Sequence, residues 1–188
     1  MDSQLERSIR RAYETCGVEE FYEEYGAFYR NPHEGAIAKV LVQSVQDLPR
    51  DGLPILDLAC GSGEVTLVLR QLGYLGIEGI DPYTQEAYYQ RTGQEAKGYR
   101  FEQIEQGILL GQYYGLIVCS FALHLVELSR LPGVAYQLSL IGDRLLIVTP
   151  HKRPELRSSW GWELVQEFCL DRVRSRLYQS TQSSDRFS

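Results

Sequence analysis

The apolar positions of this chain fall into short continuous runs separated by longer amphipathic stretches. Residues 53–58, 75–80, 115–120 and 144–149 are each dominated by Leu, Ile and Val. Runs of that length without alternation predict strands covered on both faces, hence a parallel sheet between helical layers. Helical spacing predicts helices at 3–15, at 33–47 with Ile37, Val40, Leu41 and Val45 inward, at 63–72 and at 84–92. A short strand is expected near 99–103, and a helical segment broken at Pro132-Gly133 follows the fourth strand. A terminal strand pair, 163–169 and 172–180, is expected to turn near Asp171. The fold class is therefore α/β: a Rossmann-like, mostly parallel seven-stranded sheet with helices on both faces and a C-terminal antiparallel hairpin. One domain spans 1–188, with an aromatic N-terminal segment (1–33), a core (34–180) and a polar tail (181–188).

The first strand runs into Asp57-Leu-Ala-Cys-Gly-Ser-Gly63 and then into a helix. This is the pattern of a strand-to-helix nucleotide site. Gly-x-Gly-x-x-Gly fails because Thr66 occupies the third glycine position, and there is no Gly-Lys-Ser/Thr phosphate loop. An acid four residues before Gly61 repels a pyrophosphate and suits a ligand carrying an amino group or a positive sulfur.

The net charge of −6 argues against nonspecific nucleic-acid binding, although residues 151–188 carry five acids and seven bases. No apolar run is long enough to span a membrane, and the first residues lack a secretory pattern. The four cysteines (Cys16, Cys60, Cys119, Cys169) are too widely spaced for a metal site and read as mostly buried free thiols in a reducing cytoplasm. A cytoplasmic location is expected.

Leu-Asp-Leu-Ala-Cys-Gly-Ser-Gly resembles the first motif of the class I S-adenosylmethionine-dependent methyltransferases, and the strand and helix plan over about 35–180 is similar to theirs. The resemblance implies S-adenosyl-L-methionine as cofactor, with S-adenosyl-L-homocysteine as product. It implies that Asp57 meets the methionine amino group and that Ala59, Cys60, Gly61 and Gly63 form the ligand loop. From the residues alone, Asp57 could instead cap the glycine turn. Asp81, ending the second strand, would hold both ribose hydroxyls, with Pro82 and Tyr83 beside the adenine. Gln103 is aligned with the adenine amine and Ile104 with the adenine face. Ser120 and Phe121 would line the methionine end.

Candidates for the acceptor side are less constrained. His124 has the pKa of a general base and equally the place of a turn histidine. Tyr22, Tyr25 and Tyr29 share one helical face, either as a lid or as packing. Arg30 and His33 could join them. His151 and Lys152, in a basic cluster with Arg153, either hold an anionic substrate or form a solvated loop. Arg172, Arg174 and Arg176 are expected on the exposed side of the last strand. Trp160 and Trp162 are core or pocket wall. No Asn/Asp-Pro-Pro-Tyr/Phe follows the fourth strand, which disfavours methylation of adenine or glutamine amides. Without an acid cluster, metal-independent transfer to O or N of a small molecule is expected. A protein or RNA methyltransferase, or a noncatalytic cofactor-binding partner subunit, is the alternative. The Tyr-Arg-Asn-Pro-His and Ser-Phe-Ala-Leu-His-Leu segments resemble a group of bacterial and fungal proteins, which supplies neither acceptor nor oligomeric state.

Overall fold

The structure is a computed structural model that describes residue 26, residues 30–48 and residues 52–182. In chain order the elements are α1 (Glu34–Val45), β1 (Ile55–Leu58), α2 (Glu64–Gln71), β2 (Ile77–Ile80), α3 (Gln85–Thr92), β3 (Ala96–Lys97) and α4 (Phe101–Glu105). They continue with β4 (Tyr114–Ser120), α5 (Leu131–Ile141), β5 (Gly142–Thr149), β6 (Trp162–Leu170) and β7 (Val173–Ser180). One seven-stranded sheet has the order β3-β2-β1-β4-β5-β7-β6. The first five strands are parallel, and β7 pairs antiparallel with both β5 and β6. The sheet plan thus matches the expectation.

Why the strands lack alternation is visible in β4 and β5. Leu116, Val118, Leu146 and Val148 face α1 and α2, while Ile117, Cys119, Leu145 and Ile147 face the layer containing α4 and α5. Period-2 side chains bury on both faces, so the central positions 116–119 and 145–148 are all apolar. α1 buries Ile37, Val40, Leu41 and Val45 as its spacing predicts.

Several expectations need correction. The strand expected at 99–103 is the short helix α4, and β3 is limited to two residues. Phe101 and Ile104 stand three apart, and the Gln103 side chain accepts from Arg100 N–H (2.9 Å), closing the helix start. Pro132 begins a helix rather than breaking one, since the first turn needs no N–H from it. Arg176 is not exposed but 1 % accessible. β7 lies inside the sheet, and the 150–161 connection folds over this arginine. Its guanidinium donates to Glu167 (2.9 Å), Pro154 O (2.9 Å), Lys152 O (2.7 Å) and Glu155 (3.2 Å). Arg172 sits in the hairpin turn, with φ +66°. Cys60 and Cys119 are buried, whereas Cys169 is exposed. Among the described residues, no helix is long and apolar enough to cross a membrane.

Candidate functional site

A cleft of about 290 Å³ opens at the carboxyl ends of β1, β2 and β4. β1 and β4 are where the strand order reverses, the usual ligand position in an open α/β sheet. Two non-glycine residues at these strand ends, Ala59 and Phe121, have φ +56° and both line the cleft. Backbone held in the left-handed region at such a place is a mark of a functional loop.

Gly63 starts α2 with φ +89° and has no side chain to cap it. Asp57 does so from β1: its Oδ2 accepts from Thr66 N–H (3.1 Å) and Thr66 Oγ1 (2.7 Å). Thr66 Oγ1 in turn lies 3.0 Å from the Tyr88 hydroxyl. Burial raises the Asp57 carboxyl to about 8, against the opposing pull of the Thr66 hydrogen bonds. Its Oδ1 is buried and bonds to no described residue. Tyr88 and Cys60 are likewise pushed up by burial, so both stay protonated.

Asp81 faces the cleft from the end of β2. Its Oδ1 accepts from Tyr83 N–H (2.9 Å) and Thr84 N–H (3.0 Å), and its Oδ2 from Gly61 N–H (3.2 Å). These bonds join the motif loop to the turn opening α3. A carboxylate has about four acceptor positions, so one remains for a ligand. Beside it, Arg100 donates to the Tyr83 hydroxyl (2.7 Å), its guanidinium carbon 5.0 Å from the ring centroid. Tyr99, Phe101 and Ile104 complete an aromatic and apolar end. At the other end Ser120 Oγ is buried and bonds to no described residue.

The segment before β1 covers part of this cleft. Glu64 lines it and accepts from Asn31 N–H (3.2 Å), from Ser62 Oγ and from Arg91 (3.1 Å). His33 stacks on Phe121 with ring centroids 4.9 Å apart. Gly26 packs so tightly that a Cβ there would lie 2.3 Å from the Tyr83 carbonyl oxygen.

Of the sequence candidates, Ala59, Cys60, Gly61, Asp81, Pro82, Tyr83, Ile104, Ser120 and Phe121 meet in this cleft. The others lie elsewhere. Asp57 is behind the loop, Gly63 packs on Tyr88 and Thr92, and Gln103 caps α4. Arg30 is exposed, and His33 is not in the cleft lining but stacks on Phe121, which is. His124 lines a separate cavity, and the exposed His151 ring lies against it, 4.4 Å between centroids. Lys152 is exposed, its carbonyl engaged by Arg176. Tyr22, Tyr25 and Tyr29 lie outside the described residues. Sequence reasoning missed Glu64 and Arg100. Glu64 was legible as an acid in the first turn of α2; nothing local marked Arg100.

No protein-family model matches the chain. An uncharacterized protein of fission yeast (Schizosaccharomyces pombe) is 31 % identical, covering 87 % of this chain and 89 % of its own. Magnesium protoporphyrin IX methyltransferase from Synechocystis, crystallised with bound S-adenosylmethionine, superposes with a TM-score of 0.58 at 19 % identity, covering 96 % of both chains. The N-methyltransferase NodS from Bradyrhizobium japonicum, in complex with S-adenosylhomocysteine, gives a TM-score of 0.60 at 13 % identity, over 80 % of this chain and 89 % of NodS. The chain belongs to the family of this yeast protein, within the class I methyltransferase fold.

Glu64, Asp81, Glu102 and Glu127 line the cleft with one arginine, Arg100. Glu64 is neutralised by Arg91 at 3.1 Å, which leaves Asp81 and Glu102 as the acids set against Arg100, with Glu127 3.6 Å from Arg130.

Proposed function

We propose that this protein is an S-adenosylmethionine-dependent methyltransferase acting on O or N of a small molecule without a metal. The observation that carries the reading is the cleft itself. A carboxylate with a spare acceptor sits at one end beside aromatic and apolar side chains, and a buried hydroxyl that bonds to no described residue sits at the other. When bound, S-adenosylmethionine supplies an already activated methyl group. The protein's task is then position and dryness. Asp81 fixes the sugar through its remaining acceptor site. Phe101 and Ile104 take the base against their apolar faces, with Tyr83 and Arg100 as its edge. Asp57 holds the start of α2 and hence the loop 59–61. Ser120 orients the amino-acid portion. Phe121 and Leu125, on the far wall, border the space left for an acceptor, and the Asn31–His33 turn shields it from water.

Small-molecule transfer is supported by the net charge of −6, which disfavours nucleic acid as the acceptor. The test is incubation with methyl-labelled S-adenosylmethionine and a cell extract separated into small-molecule and macromolecular fractions. Label in the small-molecule fraction, absent with an Asp81→Asn variant, is the expected result. Label confined to protein or RNA would defeat the small-molecule part. Absence of transfer despite cofactor binding would defeat the enzyme reading.

A further inference from the structure

A second cavity, of about 410 Å³, lies on the other side of the 121–128 segment. Ala122 and Leu125 of that segment line the first cleft, whereas Leu123, His124 and Val126 line the second. Its floor is apolar: Leu123, Val126, Leu131 and Leu156 are all buried. Trp160 forms one wall, with the Arg157 guanidinium carbon 5.3 Å from the ring centroid. Leu128, 77 % exposed, stands at the edge.

The polar groups are unbalanced. Arg153 and Arg157 are exposed, and neither forms an ion pair with any described residue. The one carboxylate among the described residues lining the cavity, Glu155, is 3.2 Å from Arg176 and so already engaged. His124 presents an imidazole whose Nδ1 is shielded from solvent and bonds to no described residue. Burial and the neighbouring His151 lower its pKa to about 4, so the ring is neutral near pH 7. A buried polar atom without a partner needs an explanation, as do two arginines beside an apolar floor without a counter-charge.

We propose that this cavity binds an apolar carboxylate, its hydrocarbon or aromatic body on the leucine floor and Trp160, its anion on Arg153 and Arg157. Guanidinium forks bind carboxylates in pairs of parallel hydrogen bonds, and Arg157 over the Trp160 ring is already pre-organised. The neutral imidazole gives one further hydrogen bond. The site is distinct from the cofactor cleft and does not depend on methyl transfer.

The experiment uses the full chain, 2-naphthoate and its uncharged counterpart 2-naphthamide, with binding read by saturation-transfer NMR and calorimetry. Naphthoate is expected to bind at least about tenfold more tightly than the amide, because hydrogen bonds to charged partners are the stronger ones. The double variant Arg153→Gln/Arg157→Gln should lose naphthoate binding by about tenfold or more. Both side chains are exposed, so its melting temperature should match the wild type. Excess S-adenosylhomocysteine should leave naphthoate bound. Failure of naphthoate to bind at millimolar concentration, equal binding of the two probes, an indifferent double variant or displacement by S-adenosylhomocysteine would each overturn the proposal. A separate titration with S-adenosylhomocysteine alone reports on the cofactor cleft, so the two readings fail independently.

Discussion

Replacing Asp57 with Asn isolates the electrostatic cost hidden under the motif loop. The asparagine Oδ1 can accept both Thr66 hydrogen bonds, at 3.1 and 2.7 Å in the wild type, so the cap on α2 is kept. What changes is the ionisable proton. Burial raises the folded carboxyl from 3.8 to about 8. Between those values the unfolded chain has lost the proton and the folded chain keeps it. Stability is therefore greatest below the unfolded value and falls as pH rises, levelling off above the folded one. Each pH unit in that window is worth about 1.4 kcal/mol, and the whole window on the order of 5 kcal/mol. Between about pH 5 and about pH 8 the share is roughly 4 kcal/mol, an upper figure because water entry relieves burial. Urea unfolding at both pH values, followed by tryptophan fluorescence, measures the difference between wild type and variant directly. The variant should gain on the wild type as pH rises. A difference that stays constant across the range would mean that Asp57 is already ionised in the fold, and the argument would be wrong.

Other changes follow from the same geometry. Arg176→Met strips Glu167 and two carbonyls of a buried donor and should destabilise the protein by about 3 kcal/mol in urea unfolding. Gly63→Ala places a Cβ 2.5 Å from Thr92 Cγ2 at φ +89°, and a thermal melt should show a loss of about 2 kcal/mol. His124 has a folded pKa lowered from 6.5 to about 4, so it costs stability as pH falls through that window. His124→Asn should flatten the fall over that range, opposite in sign to the Asp57 effect.

Much of the sheet was legible because its strands are buried on both faces and its helices on one. Ile55–Leu58 and Tyr114–Ser120 declare themselves by continuous apolar character. The loop around Gly61 and the acid at 81 were legible because small residues and carboxylates at strand ends have few other uses. What escaped depends on tertiary position. Arg176 reads as a surface residue in an alternating strand, and only the fold-back of residues 150–161 buries it. Phe101–Glu105 is too short for its period to decide between helix and strand, and the Gln103 cap decides it. His124 shares a segment with Phe121, yet the turn at Leu123–Leu125 sends it to a different cavity. No local pattern encodes that choice.

The central claim is the cofactor cleft, and calorimetric titration with S-adenosylhomocysteine tests it most directly, alongside Asp81→Asn and an NAD control. The account predicts binding to the wild type, none for NAD, and a loss of about tenfold or more in the variant, which gives up a charged acceptor for the ribose while keeping its turn. No binding of S-adenosylhomocysteine, or equal binding of NAD, would contradict it.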